Sequence, residues 1–345
     1  MIRVALIGYG YAGRTFHAPL IRATPGLELA QVGSSRPDRV HADLPGTAVV
    51  ASPDEICASP SIDLVVVATP NDTHVSIAAM ALTAGKHVVV EKPLAPTLRE
   101  SRELASLAER ERRVLAVFHN RRWDGDFLAI TDLLASGVLG EISHVESHFD
   151  RYRPVLRDRW RERPGVGAGL WYDLGPHLVD QALQLFGLPD RVTGSLAAQR
   201  PGAQVDDWAH VILEYSRRRV ILHASVIVAA PPPRFVVHGQ AGSWIKYGLD
   251  RQERELVAAL APEGPGAAPA DEHAVLVDGA TGRESEAPIP PGEYRRFYLQ
   301  LRDALQGVGS NPVPAEQGVA VVAVVEAAIR SSAEGRAVTP SLTST

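Results

Sequence analysis

The stretch MIRVALIGYGYAG, residues 1–13, decides the fold. Ile2 to Ile7 is a short apolar run of strand type. Gly8-Tyr9-Gly10-Tyr11-Ala12-Gly13 follows at once, and an amphipathic segment from Arg14 to Ala23 comes next. Strand, G-x-G-x-x-G and helix in that order form the dinucleotide-binding fingerprint. Gly8 permits the tight turn, Gly10 lets backbone approach a pyrophosphate, and Gly13 lets the helix lie close to the strand. N–H groups of the first helical turn, with Tyr11 and Ala12 in the loop, face the anion. The competing reading is a glycine turn that binds nothing. Glycine is 29 of 345 residues, so the spacing recurs by chance, but its place directly after the first strand favours the nucleotide site.

Outward from this stretch, strand and helix signals alternate, the pattern of a doubly wound parallel sheet. Thr24-Pro25-Gly26 stops the first helix; Leu27 to Val32 and Ala48 to Ala51 read as strands. Ser52 and Glu55 have capping-box spacing, with Pro53 at the first helical position. Ile62 to Thr69 (IDLVVVAT) is a nearly continuous apolar run, expected of a strand covered on both faces. A helix stopping at Gly85, a strand His87–Val90, a helix opened by Thr97 and Glu100 and running to about Arg113, and a strand Val114–Phe118 complete a domain over residues 1–120.

Beyond Asn120, residues 121–336 read as a second α/β domain with a large, mainly antiparallel open sheet. Trp123 to Ser136 is helical in pattern, Ile142 to Phe149 is a strand, and a helix runs from about Gly175 to Phe186. Trp208–Tyr215 and Val220–Val228 alternate apolar and polar residues, as strands with one covered face do. The stretches at Pro231-Pro232-Pro233, Ala261 to Pro269 and Pro288 to Gly292 read as loops. Tyr294–Gln306 and Glu316–Arg330 read as closing helices, and 337–345 as a tail.

The length accommodates two domains and a sizeable core. A formal net charge of −5 argues against nucleic acid or an anionic membrane as the main partner. The one cysteine, Cys57, forms no internal disulfide, which fits a reducing cytoplasm. No Cys/His spacing of a metal site is visible, no leader precedes the first strand, and no apolar run reaches membrane-span length.

In this fold a carboxylate about 20 residues beyond the glycine loop selects NAD. Here Gly33-Ser34-Ser35-Arg36 stands there instead. Two hydroxyls and a guanidinium suit the 2′-phosphate of NADP; Asp38, folded back onto the ribose, is the challenger for NAD.

Two segments could carry chemistry. Lys92 follows Glu91 and precedes Pro93 at the end of a strand, where open α/β sheets bind ligands. A lysine there can hydrogen-bond an alcohol oxygen, or Glu-Lys-Pro is a surface turn. The second segment is Gly167-Ala168-Gly169-Leu170-Trp171-Tyr172-Asp173-Leu174-Gly175-Pro176-His177. Asp173 and His177, four apart, face the same way, and an imidazole suits proton transfer near neutral pH. Alternatively Asp173 or a neighbour caps a helix and His177 is a satisfied core residue.

Gly8–Gly13, Glu91-Lys92-Pro93 and Asp173-x-x-x-His177, in that order, resemble the glucose–fructose oxidoreductase/inositol dehydrogenase (Gfo/Idh/MocA) family over about residues 1 to 335. The resemblance implies a Rossmann domain joined to an antiparallel α/β domain, and oxidation of a sugar or cyclitol hydroxyl, or the reverse, with NADP or NAD. It implies that His177 is the acid/base, that Lys92 binds the reacting oxygen, and that Asp173 binds substrate or assists the proton relay. It sets Thr69, Pro70, Asn71 and His74 beneath the nicotinamide ribose and counts Glu91 and Lys92 among the residues at the cofactor. Ala168 departs from the family, standing where many relatives have glycine. His119-Asn120-Arg121-Arg122-Trp123-Asp124, Arg151-Tyr152-Arg153-Pro154 and Arg159-Trp160-Arg161-Glu162 resemble the NADP-dependent scyllo-inositol dehydrogenase branch, with His119, Asn120 and Tyr152 as substrate contacts. His119 and Asn120 read equally well as a loop turn. Six arginines lie between Asp150 and Arg163, for an acidic substrate or a balanced solvated stretch. Trp160 and Trp171 read as packing. A homodimer or homotetramer through the second sheet is implied by resemblance alone. The rivals are an aldose or 3-keto-sugar dehydrogenase and a nucleotide-binding regulator without turnover.

Overall fold

The computed structural model describes residues 1–258 and 272–342; the loop expected over Ala261 to Pro269 lies outside them. Two compact units divide the chain. The first takes Met1–Trp123, the segment beginning at Arg251, and Glu293–Val319; the second takes Asp124–Asp250, the segment ending at Gly292, and Ala320–Thr345. Both units are therefore discontinuous in sequence, unlike the two consecutive stretches that composition alone suggests. None of the described helices is long and apolar enough to cross a membrane.

In the first unit, β1 (Ile2–Ile7), β2 (Leu27–Gly33), β3 (Ala48–Val50), β4 (Leu64–Val67), β5 (His87–Val90) and β6 (Leu115–Val117) form a parallel sheet in the order β3-β2-β1-β4-β5-β6. The valine-rich β4 is buried at every position, as a central parallel strand is. Its connectors are α1 (Ala18–Arg22), α2 (Pro37–Asp43), α3 (Pro53–Ala58), α4 (His74–Thr83) and α5 (Leu98–Arg110), and a π-helical turn, Gly13–His17, leads into α1. The strand order reverses between β1 and β4, which opens a crevice at their carboxyl ends.

Local signals succeed where the partner is near in sequence. Gly85 ends α4 with φ +77°, and Thr97 Oγ1 accepts from the Glu100 amide at 3.2 Å. The Ser52 box does not form, because its hydroxyl turns to the charged Asp54 carboxylate at 3.4 Å. Helix α2 was unmarked in the apolar pattern because Val40 alone is buried; Pro37 starts it, which places Asp38 in its exposed first turn.

The second unit contains α6 (Gly125–Ser136), β7 (Ile142–Asp150), α7 (Leu170–Phe186), β8 (Arg191–Ala197), β9 (Trp208–Tyr215), β10 (Arg218–Ser225), β11 (Phe235–Gly239) and β12 (Gly242–Tyr247). The chain then gives α8 (Gln252–Val257) to the first unit and β13 (His273–Asp278) and β14 (Glu284–Glu286) to the second. Helix α9 (Arg295–Leu305) belongs to the first unit, and α10 (Ala315–Glu334) begins there and ends in the second. Eight strands pair in the order β14-β13-β12-β11-β7-β10-β9-β8, antiparallel except for the parallel β7–β10 pair. One face buries Val145, Phe149, Val211, Leu213, Val220 and Leu222 in a core shared with α7. Val338, expected in a tail, is buried and pairs with Val192 of β8.

Close packing under α10 fixes one position in β8. A Cβ on Gly194 would lie 2.3 Å from the carbonyl oxygen of Ala328, a backbone atom that cannot swing away. Gly194→Ala should therefore destabilise the protein by about 1–3 kcal/mol, read as a lowered urea midpoint at unchanged slope. An unchanged midpoint would contradict this packing.

Candidate active site

In the first unit the predicted groups converge at the carboxyl ends of parallel strands. Gly8 has φ +102°, and a Cβ there would meet the Ala68 carbonyl oxygen at 2.4 Å. A Cβ on Gly13 would meet the Gly8 carbonyl oxygen at 2.0 Å, while one on Gly10 would meet nothing within 4 Å. The outer glycines thus serve backbone packing and the middle one faces open space, the arrangement a bound pyrophosphate requires. Tyr11 is exposed and its hydroxyl donates to Glu253 of α8 at 2.8 Å; Ala12 lies beside it, partly buried.

Ser34, Ser35 and Arg36 follow β2. Ser34 is partly buried, with its Oγ accepting from the Arg36 amide at 3.1 Å, whereas Ser35 and Arg36 are exposed. After β4, Thr69, Pro70 and Asn71 lead into α4. The fully buried His74 ring bridges the Pro93 carbonyl at 2.9 Å and the Thr69 carbonyl at 3.0 Å. Burial pulls its pKa down despite those carbonyls, so as a neutral ring it donates to one of them at a time. The ring ties the loop after β4 to the turn that carries Lys92.

That turn is anchored from beneath. The Glu91 carboxylate is buried; burial alone would raise its pKa, but the hydrogen bond from His17 outweighs this and holds it low. Glu91 Oε1 lies 3.0 Å from His17 Nε2, and Oε2 accepts from the Lys92 amide at 3.0 Å. His17 Nδ1 lies 2.5 Å from the Tyr298 hydroxyl. Burial, with the Glu91 charge, holds that phenol protonated far above its ordinary range, so it donates. His17 must then accept at Nδ1 and donate from Nε2 to Glu91. Lys92 follows, partly exposed, with a cis peptide to Pro93. His119 and Asn120 come after β6 and are buried.

The second unit holds the other segment. Helix α7 starts at Leu170, five residues before the expected Gly175, because a distant residue caps it: Asp206 Oδ2 accepts from the Trp171 amide at 2.6 Å. A Cβ on Gly169 (φ +93°) would lie 2.1 Å from Asp206 Oδ1, so glycine is required there. Burial pushes the Asp206 carboxyl up to about 6, against the bonds it accepts. Asp173 and His177 are therefore both inside α7, on successive turns, and Asp173 is not its cap. Arg161 Nε lies 3.3 Å and Arg151 Nη1 3.9 Å from the Asp173 carboxylate, so the arginine connector feeds charge to this site. Trp171 is fully buried and donates to the Val325 carbonyl at 3.1 Å, which is packing; Trp160 is partly exposed under Arg161. Tyr152 is 62% exposed. Lys92 belongs to the first unit, Asp173 and His177 to the second. His17, Tyr298 and Asp206 were not singled out by sequence reasoning, since each meets its partner far away in the chain.

Residues 2–119 match the model of an oxidoreductase family's NAD-binding Rossmann fold, and residues 131–339 that of the same family's C-terminal alpha/beta domain. The chain belongs to the Gfo/Idh/MocA oxidoreductase family. This family member is 54% identical over 333 residues to YdgJ, an uncharacterized oxidoreductase of Escherichia coli K12, covering 96% of each chain. It is 38% identical over 341 residues to IolW of Bacillus subtilis 168, a scyllo-inositol 2-dehydrogenase (NADP(+)), covering 98% of this chain and 95% of that one. A crystal structure of a Klebsiella pneumoniae protein, 50% identical, superposes with a TM-score of 0.93 over all of this chain and 97% of that one. The Rossmann domain and its open glycine cradle fit a nicotinamide dinucleotide.

The two anchoring carboxyls respond to pH in opposite directions. Asp206, raised above 3.8, binds protons more tightly in the folded state, so its effect on stability worsens as pH rises toward about 6. Glu91, held below 4.5, stabilises the fold above that value and loses its contribution as pH falls through its depressed folded pKa. Glu91→Gln should accordingly cost about 1–3 kcal/mol at neutral pH, and the gap from wild type should narrow in acid. Denaturant unfolding of both proteins across that range checks it, and a gap constant with pH would refute the charged assignment.

Proposed function

We propose that the protein is an NADP-dependent dehydrogenase that interconverts a hydroxyl and a ketone on a cyclitol, with scyllo-inositol or a close stereoisomer as substrate. The observation that carries the reading is the complete set Lys92, Asp173 and His177 in a chain of this family, supported by its 38% identity to IolW over nearly the full length. When bound, the nicotinamide supplies the hydride acceptor for oxidation and the donor for reduction. The chain's own residues supply position and proton transfer. Lys92, on a turn fixed by Glu91 and the His74 bridge, hydrogen-bonds the reacting oxygen and stabilises the charge that develops there. His177 accepts the hydroxyl proton during oxidation and returns it during reduction. Asp173, one turn before it and paired with Arg161, orients the imidazole or a substrate hydroxyl.

Cofactor choice rests on the end of β2. Ser34, Ser35 and the exposed Arg36 offer charge-assisted hydrogen bonds to a 2′-phosphate, and Asp38 stands within α2. His119, Asn120 and Tyr152 are the proposed polyol contacts. Cytoplasmic location and assembly into a homo-oligomer through the second sheet belong to the same proposal.

A panel of inositols, aldoses and other polyols, followed by NADPH absorbance, tests the substrate. Turnover confined to aldoses would remove the cyclitol reading. Lys92→Ala and His177→Ala should each lower kcat/KM by about 10²–10⁴-fold while leaving NADP affinity unchanged by fluorescence titration; normal turnover in either variant would discard its role. Arg36→Ala should weaken NADP binding by about tenfold or more and leave NAD binding as it was. Equal losses for the two cofactors would assign Arg36 to something other than the 2′-phosphate.

A further inference from the structure

The face of the eight-stranded sheet opposite its core carries groups that the proposed reaction does not use. Successive residues of a strand alternate between faces, so His144, Glu146, His148 and Asp150 of β7 share this one. The register sets His148 opposite His223 of β10, and His223 opposite His210 of β9. A row of three imidazoles therefore crosses three central strands, with Asp150 at its edge.

The Asp150 side chain is only 1% exposed. Among the described residues, neither of its carboxylate oxygens takes part in a hydrogen bond, and neither does His148 Nδ1. Such burial of a carboxylate is costly unless something compensates it. Oδ2 lies 3.5 Å from His148 Nδ1 and Oδ1 lies 3.5 Å from His223 Nε2. One ligand atom from each of the three residues lies within 4.8 Å of the other two. Metal bonds of about 2.0–2.2 Å at tetrahedral angles hold ligand atoms roughly 3.3–3.5 Å apart, and each histidine nitrogen already stands at about that distance from its own oxygen of the Asp150 carboxylate.

The outer groups are arranged to match. His148 Nε2 lies 2.9 Å from Glu146 Oε2, and His144 Nε2 holds the other Glu146 oxygen at 2.9 Å. In its neutral form, with the Nε2–H given to Glu146, His148 directs the Nδ1 lone pair toward Asp150. His223 Nδ1 lies 3.3 Å from His210 Nδ1. When His223 is the donor in that contact, its Nε2 lone pair faces Asp150 as well. A ligating histidine whose second nitrogen is held by a carboxylate or another acceptor is the usual support for a bound metal.

We propose that His148, Asp150 and His223 bind one divalent transition-metal ion of the zinc class, with Glu146 and His210 as positioning residues. Two imidazoles and one carboxylate favour Zn²⁺, Co²⁺ or Ni²⁺ over Mg²⁺ or Ca²⁺, which prefer all-oxygen shells. Three protein ligands leave a coordination position for water. The ion would link the parallel β7–β10 pair from outside the core, and the site uses residues of the second unit alone, independent of the proposed turnover.

The test uses the full chain, stripped with a chelator and titrated with Co²⁺ and Zn²⁺. Saturable uptake of one equivalent, a visible Co²⁺ absorption band and a melting temperature that rises with free Zn²⁺ are expected. Asp150→Asn and His223→Ala should weaken binding by at least about 100-fold and Glu146→Gln by about 10–100-fold, with unaltered circular dichroism. His41→Ala, in the first unit, should bind as wild type. X-ray absorption of the Zn²⁺-loaded wild type, which needs no variant to fold, should show nitrogen and oxygen ligands with imidazole scattering. No saturable uptake, equal uptake by Asp150→Asn and His223→Ala, or a spectrum without imidazole scattering would overturn the site.

Discussion

A buried negative charge holds the nucleotide-binding unit's working edge in place. Glu91 cannot leave the interior ionised without partners, and it has two: an imidazole from the π-helical turn after the glycine loop and the amide of the lysine that follows it. Tyr298, by donating to His17, fixes which ring nitrogen carries the proton. One chain of hydrogen bonds thus couples the first helix, the end of β5 and α9. The glycine loop is set by the same economy of space, since Gly8 and Gly13 stand where backbone meets backbone and no side chain fits.

The second unit solves a related problem with different means. Helix α7 starts at Leu170, ahead of Asp173 and His177, and Asp206 supplies the acceptor for its first turn from elsewhere. Its carboxyl is raised by burial, so this cap works at some electrostatic cost near neutral pH. The arginine connector answers a question that composition left open, because Arg151 and Arg161 face Asp173 while Arg159 and Arg163 pair with Glu162 and Asp158.

How much could be read from the chain depended on the distance over which each signal acts. The glycine loop, the valine strand β4, the Gly85 stop and the Thr97 cap are encoded within a few residues, and the structure has them where the sequence put them. Helix α2 carries too little apolar periodicity to announce itself, and the start of α7 depends on an aspartate 35 positions later. The partners of Glu91 are further off still: His17 lies 74 positions before it, and Tyr298 lies 281 beyond His17. The histidine row on the second sheet exists only once strand register is known, which no spacing along one strand encodes.

The return of the chain to its first unit bears on how the protein is made. Phe297, Tyr298, Leu301 and Val313 lie in the same apolar core as Phe16, Val90 and Phe118. During synthesis the Rossmann sheet can be complete by residue 117 while one side of its core still lacks these aromatics. The nascent amino-terminal stretch must wait, incompletely packed, until the segment through Val313 has emerged from the ribosome, and chaperone demand should be greatest during that interval.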